Sequence, residues 1–187
     1  MTQTYRIVMI GNAYVGKTAL VMKCIHKTTQ VNYDETIGAA FHTYNAKVNG
    51  IVQQFQVWDT AGTEKYRSLA PVYYRNASAA ILVYDMTDKI SFDELENWIS
   101  IFKESSSPDS IIFIVANKND LEDSIVISQQ EGEKWAFEHH YPFFCTSAIT
   151  GANVDNIFQT VAKKIARDTK PNVEKNLIEE KQNNNCC

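Results

Sequence analysis

The chain reads as an α/β protein: a sheet of six strands, mostly parallel with one antiparallel member, covered by five helices. Three observations predict it. Short apolar runs alternate along the chain with amphipathic stretches of helical length. Asn49-Gly50 separates two strand-like stretches and signals a type I′ hairpin, which supplies the antiparallel strand. A glycine-bounded loop stands between the first strand and the first helix. The length, 187 residues, suits one domain, and 44% hydrophobic with 21% charged residues is an ordinary globular composition.

In order, residues 5–10 (YRIVMI) form a strand, residues 11–18 a loop, and residues 18–27 a helix. Residues 28–38 are polar and irregular. The hairpin pairs residues 39–48 with 51–58, and a helix is expected from about residue 65 to 75 after a loop that begins at Asp59. A buried strand covers 79–84. Ser91 and Glu94 have capping-box spacing and predict a helix to about 104; Ser128 and Glu131 predict another to about 140. Strands at 111–116 and 143–146 fall around that last helix, and Asn153 is expected to cap a helix ending near 167. Residues 1–168 thus form the domain, and residues 169–187, polar and ending near Asn183-Asn184-Asn185, read as a flexible tail.

Formal charge is −4, from 18 basic and 22 acidic residues, which argues against a general nucleic-acid binder. No apolar run approaches the roughly 20 residues of a spanning helix, and the first residues carry no secretion signal. Of four cysteines, Cys24 and Cys145 lie in apolar-periodic segments and read as buried reduced thiols; the spacing of the four matches no zinc pattern.

Gly11-Asn12-Ala13-Tyr14-Val15-Gly16-Lys17-Thr18 fits the phosphate-loop pattern G-x-x-x-x-G-K-[ST]. Its glycines let successive N–H groups face a phosphate, and the helix that follows aims its positive end at the same point. Lys17 is placed to reach the β- and γ-phosphates, and the Thr18 hydroxyl to ligate Mg²⁺. Asn117-Lys118-Asn119-Asp120 follows a strand and so lies at the carboxyl edge of the sheet, where such folds bind ligands. A carboxylate at Asp120 accepts from N1–H and the 2-amino group of guanine. Adenine offers neither donor, and sites built on such bonds discriminate by about 10⁴–10⁵. Thr146-Ser147-Ala148 follows the next strand, where the Ala148 N–H is placed to meet the guanine 6-oxo group.

With Trp58-Asp59-Thr60-Ala61-Gly62 and the closing Cys186-Cys187, these motifs resemble the Rab family of the Ras superfamily of small GTPases. The stretches Thr36-Ile37-Gly38-Ala39-Ala40-Phe41 and Ser68-Leu69-Ala70-Pro71-Val72-Tyr73-Tyr74-Arg75 look most like its early-endosomal subfamily. The resemblance implies a Ras-like G domain of the phosphate-loop class that binds GTP or GDP with Mg²⁺, hydrolyses GTP, and works as a monomeric switch in vesicle traffic. Thr36 would join Thr18 and Asp59 at the metal, and the N–H groups of Thr36 and Gly62 would meet the γ-phosphate. Two such charged hydrogen bonds are worth about 3–6 kcal/mol together, close to the about 5.5 kcal/mol that takes a two-state loop from 1:99 to 99:1. Phe41, Trp58 and Tyr73 resemble an aromatic triad shown to effectors, although core packing alone would also explain them. The resemblance further implies an exchange factor, an activating protein, a GDP-dissociation inhibitor or escort protein, and residence on the cytoplasmic face of endosomal membranes with a cytosolic pool.

Three positions depart from the family pattern. Thr63 stands where relatives carry the glutamine that orients the attacking water, so intrinsic hydrolysis is expected to be slow, or negligible if the chain is purely a nucleotide-binding signalling module. Thr29 replaces an aromatic ring over the base, and Ile149 the lysine that lies along it, so nucleotide exchange is expected to be fast. A nucleotide kinase on the same loop would need an arginine-rich lid, which the chain lacks. Cys186 and Cys187 resemble a doubly prenylated terminus. From Asp168 on, four acids face three lysines, so no basic patch replaces the second lipid chain.

Overall fold

The computed structural model describes residues 5–29, 36–62 and 69–168. Its strands are β1 (Tyr5–Ile10), β2 (Ala39–Val48), β3 (Ile51–Thr60), β4 (Ala79–Asp85), β5 (Ile111–Asn117) and β6 (Phe143–Cys145). They form one sheet in the order β2-β3-β1-β4-β5-β6. Only β2 runs antiparallel to its neighbour. Asn49 and Gly50 both have positive φ (52° and 84°), as the expected type I′ turn requires.

The helices are α1 (Lys17–Val21), α2 (Ala70–Tyr74), α3 (Lys89–Asp93), α4 (Leu95–Ser105), α5 (Gln129–Glu138) and α6 (Val154–Asp168). Parallel strands buried on both faces sort their residues strictly. From β1, Ile7 and Met9 enter a core with Leu20, Ile157, Phe158 and Val161 on one face, while Val8 and Ile10 join Trp98 and Phe102 on the other. Ile81/Leu82 in β4 and Phe113/Ile114 in β5 divide the same way. Each such side chain contributes about 1.5–3 kcal/mol by leaving water, so the central strands form a rigid platform.

Four details depart from the sequence expectations. The first helix is α-helical only to Val21 and continues as a π-helical turn over Met22–His26, closed by Lys27 at φ 55°; apolar spacing does not distinguish these two hydrogen-bond patterns. Ser91 opens no helix. Asp88 caps α3 through Ile90 N–H at 3.0 Å, while Ser91 is buried inside α3 and donates to the Asp88 carbonyl at 2.8 Å. The single helix expected over 91–104 is therefore two, meeting at Glu94. Ser128 does cap α5, accepting from Glu131 N–H at 3.1 Å. Asn153 precedes α6 and its carbonyl takes the Ile157 N–H, but its side chain donates to the Cys145 carbonyl at 2.9 Å and so ties α6 to β6 instead of capping. β3, β4 and β5 each run one or two residues past their last apolar position, because the ladders continue through Met9 to Asp59 and Asp85 to Asn117. Three polar side chains thereby become the last strand residues at the carboxyl edge. Of the helix expected from about 65 to 75, residues 63–68 lie outside the described residues, as does the tail.

Candidate functional site

The phosphate loop takes the shape that its glycines permit. Gly11 has φ 131° and Gly16 φ 97°, and a β-carbon on them would overlap the Val83 carbonyl oxygen and the Asn117 amide respectively. Tyr14 has φ 63° and is 70% exposed, a left-handed conformation unusual for an aromatic residue. Lys17 is buried at the start of α1 and donates to the carbonyls of Gly11 (2.9 Å) and Asn12 (2.6 Å). Burial lowers its pKa to about 8, against the opposing pull of Asp59. The lysine thus spans its own loop, with its charge held beneath the strand-to-helix turn.

Oxygens from three segments meet beside it. Thr18 Oγ1 lies 3.0 Å from Thr36 Oγ1 and donates to Asp59 Oδ2 at 2.6 Å. Asp59 is fully buried, its other carboxylate oxygen has no hydrogen-bond partner among the described residues, and burial raises its pKa. A buried, half-satisfied carboxylate beside two hydroxyls is a hard-oxygen donor set that suits Mg²⁺. Gly62, two residues beyond β3, lies so close to the phosphate loop that a β-carbon would overlap the backbone of Asn12 and Ala13. Thr63 lies outside the described residues.

At the far end of the same edge, Asn117 is a hub. Its Nδ2 donates to the Val15 carbonyl at 2.9 Å, and its Oδ1 accepts from Thr146 Oγ1 (3.2 Å) and Ala148 N–H (3.3 Å). The Ala148 N–H expected to meet a guanine oxygen is therefore directed at Asn117 here. Lys118, at φ 67°, pairs with Asp85 at 2.6 Å. Asp120 is half-exposed and takes no hydrogen bond from the described residues. Ser147 is buried and its hydroxyl accepts from Ile149 N–H (3.1 Å) and Thr150 N–H (3.0 Å), which fixes the turn after β6. Ile149 is half-exposed, and its carbonyl accepts from Lys23 Nζ at 3.1 Å.

The aromatic triad is contiguous. Phe41 and Trp58 are cross-strand partners with ring centroids 5.9 Å apart, and Trp58 lies 6.0 Å from Tyr73. Phe41 is 52% exposed, while Trp58 and Tyr73 pack against the core, so the triad is partly core and partly open to solvent. Exposed Ile37, Leu69 and Val72 flank the triad in the sequence.

Sequence reasoning missed four residues. Arg6 stacks its guanidinium 4.6 Å from the centre of the Trp58 ring and donates to the Arg75 carbonyl at 2.9 Å. Lys23 reaches across from the π-helical turn to two loops. Trp98 hydrogen-bonds the phosphate loop. None of these had a local motif. Asp85 had a signal, a carboxylate ending an apolar strand at the same edge as Asn117. Cys24 and Cys145 are buried free thiols, as expected, and burial pushes the Cys24 thiol up to about 12. Among the described residues no helix is long and apolar enough to cross a membrane.

A buried lysine under a glycine-bounded strand-to-helix loop, with oxygen donors beside it and a second polar cluster along the same edge, defines a phosphate-loop nucleotide-binding domain. The Ras family model matches residues 6–167. Over 162 residues the chain is 38% identical to the Ras-related protein RABF2a of Arabidopsis thaliana, covering 87% of this chain and 81% of that protein. The chain belongs to the Ras family and is a small GTPase of the Rab type. As a Rab it is a GTP-binding switch, and its family binds GTP or GDP with Mg²⁺ and hydrolyses GTP.

Proposed function

We propose that the chain regulates endosomal membrane traffic as a GTP-dependent switch that recruits effectors when loaded with GTP. The observation that carries this is the convergence of Thr18, Thr36 and Asp59 on one point beside Lys17. Thr36 belongs to the segment entering β2, and Gly62 to the segment leaving β3. A phosphate-bound cation at that point would hold both ends of the β2–β3 hairpin, on which Phe41 and Trp58 stand. Bound Mg²⁺ supplies charge neutralisation at the β- and γ-phosphates. Lys17 supplies a fixed positive charge, Thr18, Thr36 and Asp59 hold the metal, and the loop from Asn12 to Gly16 orients the phosphates. Asn117, Lys118, Asp120, Ser147, Ala148 and Ile149 hold the guanine.

Residues 1–168 form the switch, and 169–187 are a tail prenylated at Cys186 and Cys187, since two lipid chains are needed for stable anchoring where no basic patch assists. The partners are an exchange factor, an activating protein, a GDP-dissociation inhibitor or escort protein, and effectors that dock on Phe41, Trp58 and Tyr73. The protein cycles as a monomer between cytosol and the cytoplasmic face of endosomes. Recombinant chain in Mg²⁺ should bind fluorescent mant-GDP, released by GTP and not by ATP; no uptake, or release by ATP alone, rejects the reading.

Thr63 favours a second version, in which intrinsic turnover is negligible and exchange sets the signal. A threonine hydroxyl is two carbons short of a glutamine amide. Single-turnover phosphate release from wild type should be slower than from Thr63→Gln, and equal rates would remove the role assigned to Thr63.

A further inference from the structure

The second residue of the phosphate loop is held from outside every nucleotide motif. Trp98, in the middle of α4 and 2% exposed, donates its indole N–H to Asn12 Oδ1 at 2.6 Å. The Asn12 carbonyl accepts from Lys17 Nζ at 2.6 Å. The Asn12 backbone is also the surface against which Gly62 lies, with no room for a side chain between them. One asparagine therefore joins α4, the phosphate lysine and the segment leaving β3.

Packing alone does not call for this contact. The ring of Trp98 belongs to the apolar cluster that includes Val8, Ile10, Leu95 and Phe102, and packing in such a cluster makes no use of an N–H. Indole adds one group, an N–H that only donates, and it points at the loop whose shape decides where phosphate goes. That loop has no ladder of its own, and it contains left-handed backbone at Tyr14 and Gly16. A loop in this conformation must be ordered before its N–H groups converge on an anion, and an anchor that orders it in advance strengthens binding.

We propose that Trp98 is a positioning residue of the nucleotide site: through Asn12 it fixes the phosphate loop and slows loss of bound nucleotide. The proposal rests on the nucleotide-binding reading above. It makes α4, which touches neither base nor metal in that reading, a determinant of exchange rate.

The test is the dissociation rate of mant-GDP from the full chain in Mg²⁺ with excess GDP. Trp98→Phe keeps an aromatic ring and removes the donor, and release should be roughly tenfold faster, the effect of leaving a hydrogen-bonding group without its partner. Asn12→Ala should give a similar rate. The double variant should be no faster than the faster single variant, because both remove one interaction. Should Trp98→Phe not fold, the indole N–H signal of Trp98 in wild type gives an independent reading: slow exchange with solvent that becomes fast in Asn12→Ala supports the proposal, and fast exchange in wild type overturns it. Wild-type release rates in both single variants, or a double variant equal to the product of the two, also overturn it. If wild type binds mant-GDP and the cycle is additive, only the role of Trp98 fails; if wild type takes up no mant-GDP, the nucleotide reading falls as well.

Discussion

The two ends of the ligand-binding edge are built on different principles. At the base end, the buried Asn117 bonds the phosphate loop and the turn after β6, Asn119 N–H donates to the Thr146 carbonyl at 3.1 Å, and Asn153 ties the start of α6 to β6. Nearly every polar group there already has a protein partner. At the phosphate end, among the described residues, the Thr36 hydroxyl contacts Thr18 and a buried oxygen of Asp59 is left without a partner. The base end is finished by the protein, whereas at the phosphate end the proposed cation would complete a buried carboxylate oxygen that lacks a hydrogen-bond partner among the described residues. A switch needs this division: the base holds the nucleotide in either state, while the phosphate end reads which nucleotide is there.

The comparison can be broken at four points. The largest effect is expected at Asp120, whose carboxylate takes no hydrogen bond from the described residues. In Asp120→Ala, preference for GDP over ADP should fall by about 10⁴, while the melting temperature stays within a degree or two, since no internal bond is lost. Competition binding and thermal melts measure the two. A large fall in stability would show that Asp120 belongs to the scaffold.

Asn117 should behave the opposite way. Asn117→Ala strands the Val15 carbonyl and the Ala148 N–H, while the Thr146 hydroxyl keeps the Ala116 carbonyl at 3.2 Å, and unsatisfied buried groups cost about 1–3 kcal/mol each. A loss of about 3 kcal/mol is expected in urea melts of the nucleotide-free protein. An unchanged urea midpoint would mean that the base end is not preassembled.

The sequence made these two residues legible for the same reason: recognition of a planar base and of a phosphate requires particular atoms at particular spacings, and those leave motifs. The strands were legible through apolar runs, and the hairpin through Asn49-Gly50. What escaped was what depends on three-dimensional proximity. Ser91 and Ser128 have the same capping-box spacing, yet Asp88 captured the earlier helix start because its side chain reaches Ile90 N–H first. Trp98 was identifiable as core by helical phase, but its N–H partner lies 86 positions away in the chain. Arg6 looked like an ordinary residue of a first strand, and only the return of β3 alongside β1 places Trp58 beneath it.

Thr36→Ala addresses the phosphate end. It removes a single half-buried hydroxyl that, among the described residues, bonds Thr18 alone, so folding stability should hardly change. In the proposed site this removes a ligand to the metal in the GTP state, and the ratio of GTP to GDP affinity should drop about tenfold, or 1.4 kcal/mol. Equal losses for both nucleotides, measured by titration in Mg²⁺, would place Thr36 with the base-end scaffold and blur the division.

The smallest effect is expected where the two ends touch. Thr29 and Ile149 lack the ring and the lysine that flank the base in relatives, yet both positions are bridged by one side chain. Lys23 Nζ donates to the Ile149 carbonyl at 3.1 Å and to Thr29 Oγ1 at 3.4 Å. Its stem runs alongside Gly151, where a β-carbon would stand 3.0 Å from Cε. The π-helical turn sets Lys23 in this position. A cation tying the loop after β6 to the segment that leads toward Thr36 would partly replace the missing clamps by limiting how far the two walls separate. Because one bond is exposed and the other is long, Lys23→Met should speed mant-GDP release only about threefold, within the 0.5–1.5 kcal/mol of a typical hydrogen bond. Lys23→Arg should restore most of the wild-type rate, since a guanidinium can reach both acceptors. If Met and Arg variants release nucleotide at the same rate, the bridge does not restrain the base, and the two ends of the site communicate through the phosphate loop alone.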